Sequence, residues 1–277
     1  IFNIHITKIS IIFDIFGVSQ FHSLLIPFYF DTFEKKNRIL DGAIKYGAAV
    51  LFAQRQTNVI ENEIETFLHK YINAVNEGSK FEDLIVEINN KRDNYIREFQ
   101  NTLYMVNYGN RKQKALTLLK FVELYGNANN NVLHAPKTGI NSITLEHIMP
   151  QTPSGDISEN NIEDINLYNL YVNNIGNLTL LKKSDNSGVQ NISFANKKET
   201  YKSSQYTITS NIIEPLPNNR TTGQDHDQVR YNNVWNPQYT QLIGENGSLV
   251  AISDHWTKEA IIARGKKLTE YIVELLH

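Results

Sequence analysis

The spacing of the apolar residues changes near residue 142, and this change limits most strongly what the chain can fold into. Before that point apolar residues recur every three or four positions, the spacing of an amphipathic helix, for example at Ile60, Ile64, Phe67, Leu68, Tyr71, Ile72 and Val75. From Ser142 to Met149 apolar and polar residues largely alternate, which predicts a strand. We therefore predict an α+β fold, in which a mainly helical chain carries a small hairpin-and-helix module.

Turn and linker residues divide the chain further. Gly126-Asn127 ends the last helix of the first half, and an Asn-, Gly- and Pro-rich linker follows. A Gly176-Asn177 turn leads into a second strand over Leu178–Leu181, and a helix is expected from Phe194 to Ser203. The sequence thus predicts a helical scaffold domain over 1–140, the module over 141–210, and a loop with a C-terminal helix that packs on the module over 211–277.

Composition excludes several classes of protein. The apolar N-terminal stretch 1–30 is interrupted by His5, Lys8, Asp14 and His22, which favours buried helices over a membrane segment. The 277 residues include no cysteine, so disulfides and thiolate metal sites are excluded, and a cytoplasmic location is expected. The net charge of −2 means that a nucleic acid must be bound by a local basic patch.

Polar side chains at the predicted strand ends have the chemistry needed to hydrolyse a phosphodiester. His147 can accept a proton from water, since an unperturbed imidazole titrates near about pH 6.5. Glu146 and Asn186 offer hard oxygen ligands suited to Mg²⁺ or Mn²⁺. Asn177, at the turn, can bond backbone groups and hold the strand that carries His147.

An ordinary structural interpretation of each residue stays open. Neighbouring residues of a regular strand point to opposite faces, so Glu146 and His147 meet only if the strand twists or bulges near Pro150. Without such irregularity, His147 is a core histidine, Glu146 an exposed edge carboxylate and Asn186 part of a simple turn.

The combination of motifs is more specific than its parts. The segments are Glu146-His-Ile-Met-Pro-Gln151, Gly176-Asn-Leu-Thr-Leu-Leu181 and Ser184-Asp-Asn186, followed by Phe194-x-x-Lys197-Lys198-x-x-Tyr201 and Trp256-x-x-x-x-Ile261-x-x-Arg264-x-x-x-Leu268. Together they resemble the HNH group of His-Me finger (ββα-metal) nucleases. The resemblance is greatest to the HNH domain at the C-terminal end of GmrSD-type modification-dependent restriction endonucleases.

The resemblance implies a role for each residue. His147 is expected to be the general base, Glu146 and Asn186 the ligands of a divalent metal, Mg²⁺ or Mn²⁺, and Asn177 the structural asparagine of the motif. Lys197, Lys198 and Arg264 are expected to contact phosphate or to stabilise the fold, and for Arg264 a buried ion pair is the alternative.

The expected function is that of a metal-dependent DNA endonuclease from a restriction or phage-defence system, acting on double-stranded and in some cases modified DNA. In the enzymes that this chain resembles, a nucleotide-binding domain precedes the helical region. Because the sequence contains no Gly-rich phosphate loop, we expect a fragment of a longer protein, or a partner subunit that supplies that domain. Two alternatives remain, a DNA-binding or regulatory module with an inactive HNH site and a purely structural helical protein.

Overall fold

The computed structural model describes residues 8–29, 31–76, 81–127, 129, 131–153, 155–213 and 254–277. The chain forms two compact units. Unit 1 contains the residues up to Asn101 together with Leu276 and His277, and unit 2 runs from Thr102 to Leu275. The observed division therefore differs from the predicted limit at residue 140, because residues 102–140 belong to the same unit as the strands.

Unit 1 is helical throughout its described part. After a helical turn at Ile11–Ile15, its helices are α1 (Phe21–Leu25), α2 (Phe33–Phe52), α3 (Thr57–Asn76) and α4 (Phe81–Phe99). Thr32 caps α2, and its side chain accepts a hydrogen bond from the backbone N–H of Lys35 at 3.4 Å. Helix α3 covers the stretch for which helical spacing predicts an amphipathic helix.

The apolar N-terminal stretch agrees with the prediction of buried helices where it is described. Seven of its described apolar side chains are buried, those of Ile11, Ile12, Phe16, Val18, Phe21, Leu24 and Phe28. Residues 1–7 and residue 30 of this prediction lie outside the described residues. Within the described ranges, no helix has the length and apolar character needed to cross a membrane.

Unit 2 combines helices with one pair of strands. In chain order its elements are α5 (Lys112–Phe121), α6 (Asn131–His134), β1 (Ile143–His147), α7 (Ile165–Val172), β2 (Leu178–Lys182), α8 (Lys183–Val189), α9 (Phe194–Lys202), α10 (Thr207–Ser210) and α11 (Lys258–Leu276). The predicted class, α+β with a mainly helical chain, is confirmed. Most of the loop predicted within 211–277 lies outside the described residues, which omit 214–253.

The two strands pair antiparallel in an unbroken register. Ile143 pairs with Lys182 at one end and His147 pairs with Leu178 at the other, with one residue opposite one residue throughout. Helix α5 packs against both strands. The register shows that β1 stays regular as far as His147, and that no bulge intervenes between Glu146 and its neighbour.

The connection between the strands is longer and more ordered than the sequence predicted. Helix α7 lies within it, and Asp164 caps this helix by accepting hydrogen bonds from the backbone N–H groups of Asn166 and Leu167, at 2.7 and 3.0 Å. The Gly176-Asn177 pair belongs to a single helical turn, Ile175–Asn177, which leads directly into β2. The chain therefore enters β2 from α7 and not from a tight two-residue hairpin.

Helix α11 packs against the turn Ile175–Asn177, which we call the entry turn of β2. A Cβ atom at Gly176 would lie 1.9 Å from the backbone oxygen of Ile261, so no other residue fits there without moving the helix. Arg264, which is 2% exposed, donates from Nη1 to the carbonyl oxygens of Gly176 and Leu178, each at 3.0 Å. The guanidinium on the apolar stripe of α11 thus binds backbone carbonyls and stabilises the start of β2.

Candidate active site

Glu146 and His147 lie next to each other at the end of β1 but face opposite sides of the sheet. This follows from the regular pairing of β1, since side chains alternate along a strand. It also follows from their contacts, because Glu146 meets α9 whereas His147 meets the residue after α7. The sequence allowed both side chains to bind one metal only if β1 twists or bulges at this end. Because β1 is regular, the two side chains do not meet at one metal site.

His147 is held in one orientation by Asn173. Its Nε2 atom lies 3.0 Å from Oδ1 of Asn173, and the residue is 6% exposed. A carboxamide oxygen only accepts hydrogen bonds, so Nε2 carries the proton and Nδ1 keeps its lone pair. Among the described residues Nδ1 has no protein partner, and it is not one of the fully buried polar atoms.

Burial keeps the imidazole neutral. The pKa of His147 is lowered to about 4, chiefly by burial, with smaller contributions from the charges of Lys112 and Lys197, while the hydrogen bond with Asn173 opposes the shift. At neutral pH the side chain is therefore an unprotonated, oriented imidazole with one free lone pair, which is the state required of a general base.

Glu146 belongs to a buried network with α9. Lys197 Nζ and the Tyr201 hydroxyl both donate to Oε1 of Glu146, at 2.7 and 2.8 Å, and Lys197 also donates to the backbone carbonyl of His147. Burial raises the pKa of Glu146 and lowers that of Lys197, and the short salt bridge opposes both shifts. The carboxylate is 3% exposed and Lys197 is 0% exposed.

This network corrects two predictions. Lys197 cannot contact phosphate from a fully buried position in which its ammonium group already has a carboxylate and a carbonyl as partners. Glu146 is likewise placed as the buried counter-ion of Lys197 and not as an accessible metal ligand. The salt bridge also ties α9 to the last residues of β1, so it contributes to the position of His147.

Asn186 fixes α8 to β1. Its Nδ2 atom donates to the hydroxyl of Thr144 and to the carbonyl oxygen of Leu145, both at 3.0 Å. Thr144 shares its face of β1 with Glu146, so the amide of Asn186 lies on the side of the sheet opposite to His147.

The residues predicted to hold a divalent metal do not fit one in this arrangement. Magnesium and manganese need several oxygen ligands, with room for retained water. Here the carboxylate of Glu146 is buried and neutralised by Lys197, and the amide of Asn186 is committed to β1 through its nitrogen. Throughout the part of the chain that the structure describes, no three His, Cys, Asp or Glu side chains form a group that could hold a metal ion.

Asn177 links the two strands. Its side chain accepts from the backbone N–H of Met149 at 2.7 Å and donates to the carbonyl oxygens of Met149 and Val172, at 3.0 and 2.8 Å. The residue is 0% exposed. These bonds hold the segment that follows His147 against the turn that precedes β2.

The other two predicted phosphate contacts lie elsewhere. Lys198 forms a surface salt bridge with Asp254 at 2.7 Å, and its ammonium group lies 5.5 Å from the centre of the Phe194 ring. Arg264 is directed at the carbonyls of the entry turn, so contact with nucleic acid through its guanidinium is not what this structure supports. The contacts described for its guanidinium are with backbone carbonyls, and the alternative of a buried ion pair for Arg264 stays a prediction.

Sequence reasoning missed two features beside His147. Asn173 orients the imidazole, but as the first of two adjacent asparagines at the end of an unpredicted helix it gave no recognisable signal. Lys112, at the start of α5, is near enough for its charge to affect the pKa of His147. The pair Arg111-Lys112 is visible in the sequence, but only the fold brings it close to β1.

Together these features define an α+β domain whose candidate site is an oriented, neutral histidine at a strand end, arranged for acid–base chemistry. The family model for the C-terminal domain of GmrSD restriction endonucleases matches residues 91–271, and the chain belongs to this family. The match confirms the predicted resemblance and covers nearly all of unit 2. Comparisons with curated proteins and with solved structures give no match.

Proposed function

We propose that this chain is an endonuclease that hydrolyses phosphodiester bonds of DNA, with His147 as the general base. Membership of a restriction-endonuclease family supports this class of reaction and DNA as the substrate. The observation that carries the assignment of the base is the contact between His147 and Asn173, which leaves a neutral imidazole with its Nδ1 lone pair free.

The proposed step is the deprotonation of a water molecule by Nδ1 of His147. The water oxygen then forms a bond to phosphorus, the bond from phosphorus to the leaving oxygen breaks, and the leaving oxygen takes a proton from solvent. Asn173 acts as a positioning residue, because it fixes the tautomer and the ring plane of His147. A neighbouring phosphate would favour the imidazolium form, so DNA binding is expected to raise the low pKa of the free protein.

Dependence on Mg²⁺ or Mn²⁺ remains a prediction from the family. Since Glu146 and Asn186 do not fit a metal in the described arrangement, we assign no step to one. Action on modified DNA and cooperation with a nucleotide-binding domain or subunit are likewise proposals that rest on the family resemblance alone.

A plasmid-cleavage assay tests the assignment. The full chain is incubated with supercoiled plasmid in Mg²⁺, in Mn²⁺ and in EDTA, and nicked and linear products are measured. We expect His147→Ala to lower the rate by about 10²- to 10⁴-fold, the usual contribution of a general base. The matched control is His134→Ala, which removes an exposed histidine of α6 and should leave cleavage unchanged. Wild-type rates in His147→Ala would refute the role of His147.

One observation favours a second candidate, a DNA-binding or regulatory module with an inactive site. The carboxylate that the family resemblance assigns to the metal is sequestered by Lys197 and Tyr201. Salt-sensitive DNA binding, with no cleavage in any divalent ion, would support this candidate over the nuclease.

A further inference from the structure

A basic segment without acidic residues surrounds the start of α5. Residues 99–122 contain Arg111, Lys112, Lys114 and Lys120, but no aspartate or glutamate. The first three of these lie at the N-cap and in the first turn of α5, where Arg111 and Lys112 are exposed and Lys114 is half-buried. We call these three residues the α5 basic cluster.

The cluster adjoins His147 through a short series of contacts. The backbone N–H of Tyr108 donates to the carbonyl oxygen of Asn173 at 2.8 Å. A Cβ atom at Gly109 would lie 3.3 Å from Nδ2 of Asn173, so this turn packs directly on the amide that binds His147. The chain then passes through one residue, Asn110, into the cluster.

The position of these charges at the start of α5 is unfavourable for the helix itself. The N-terminus of a helix carries a partial positive charge, so cations in the first turn are unfavourable by a few tenths of a kcal/mol each. Burial, together with the charge of Arg111, lowers the pKa of Lys114 to about 8. Within the described residues Lys112 forms no ion pair, and its charge disfavours protonation of His147. A bound anion would relieve each of these repulsions.

We propose that the α5 basic cluster binds phosphate groups of a DNA duplex and thereby seats the backbone against His147. This inference rests on the proposed nuclease function, and it assigns the phosphate contacts to residues other than Lys197 and Arg264. The partner is a polyanion with regularly spaced phosphates, because three cations at the start of α5, of which Lys112 is close enough to affect His147, suit a charged backbone that runs past the base.

The test compares the full wild-type chain with the double variant Arg111→Gln/Lys112→Gln. Binding to a fluorescently labelled linear DNA duplex is followed by anisotropy at several salt concentrations, and plasmid cleavage is measured in parallel. At about 50 mM salt each lost phosphate contact should weaken binding roughly tenfold. The slope of log K against log salt should fall by about one for each contact.

Two controls make the outcome specific. Lys137→Gln removes an exposed charge from the loop before β1 and should leave both affinity and salt slope unchanged. Thermal unfolding of the double variant is measured as well, so that a loss of binding through unfolding is distinguished from a loss of phosphate contacts. If the double variant binds and cleaves like wild type, the cluster is not the phosphate site, although the nuclease assignment stands. If the wild type neither binds nor cuts duplex DNA, both proposals fail, and if it binds without cutting and the double variant loses binding, only the nuclease assignment fails.

Discussion

The buried salt bridge between Lys197 and Glu146 allows a quantitative test of how the site is held. The variant Lys197→Met largely keeps the aliphatic volume of the side chain but removes the cation that pairs with the carboxylate of Glu146. In the wild type the side chain of Lys197 is 0% exposed and that of Glu146 is 4% exposed. Removing one partner of a buried ion pair typically costs about 3–5 kcal/mol. For a unit of this size that corresponds to a fall in Tm of about 6–20 °C.

Urea unfolding monitored by tryptophan fluorescence is a suitable assay. Trp256 is fully buried in unit 2, so its emission follows the unfolding of that unit. The matched control is Lys198→Met, one residue along α9, which breaks an exposed salt bridge and should change stability by less than about 1 kcal/mol.

The pH dependence and a double variant sharpen the test. In Lys197→Met the folded-state pKa of Glu146, which burial already raises, should rise further, so the loss of stability should be smaller at acid pH and grow as pH increases. The double variant Glu146→Leu/Lys197→Met should be more stable than the sum of the two single changes implies, because no charge is left unpaired.

Two results would refute this reasoning. One is a Lys197→Met variant within about 1 kcal/mol of wild type, or strictly additive effects in the double variant. The other is a rise in Tm of the wild type with Mg²⁺ or Mn²⁺ that Glu146→Gln abolishes, since this would restore Glu146 as a metal ligand.

Three further predictions concern the base and the packing around it. With the pKa of His147 at about 4, kcat/KM for cleavage should stay constant as pH falls to about 5 and should be lost as pH falls through about 4. Lys112→Gln removes a positive charge near the imidazole and should move this acid limb of the pH profile to higher pH. An acid limb near about pH 6.5 in the wild type would contradict the burial of the imidazole. Asn173→Ala should lower kcat about tenfold or more with little change in KM, because the imidazole loses its fixed tautomer, and equal kcat values for the variant and wild type would show that Asn173 does not position the base. Gly176→Ala should destabilise the protein by at least about 1–3 kcal/mol in urea unfolding, since the new methyl group would lie 1.9 Å from the backbone oxygen of Ile261, and unchanged stability would mean that α11 is not packed as described.

The sequence predicted the strands well because each is read from a local pattern. Alternation over Ser142–Met149 and the apolar run after Gly176-Asn177 gave β1 and β2 within a residue or two of their observed bounds. Helix α9 was predicted from Phe194 to Ser203 and is observed from Phe194 to Lys202. In these elements the side-chain period and the end signals act over a few residues, so no knowledge of distant contacts was needed.

Features that depend on distant contacts were missed. The sequence pattern did not reveal that Asp164 caps a regular helix, α7, between the two strands. The partners of Glu146 on α9 are Lys197 and Tyr201, which follow it in the sequence by 51 and 55 residues. The charges of Lys197 and Arg264 suggested contact with phosphate, yet burial decides their partners, and burial is not a property of a single position in a sequence.

The packing of α11 on the turn before β2 has a consequence for how the protein is made. Arg264 follows Gly176 by 88 residues, so a ribosome needs about 4–18 s to supply the guanidinium after the glycine has been translated. During that interval the carbonyl groups of Gly176 and Leu178 lack the guanidinium that donates hydrogen bonds to them in the folded protein. A nascent or truncated chain that stops before α11 therefore lacks the contact that secures β2.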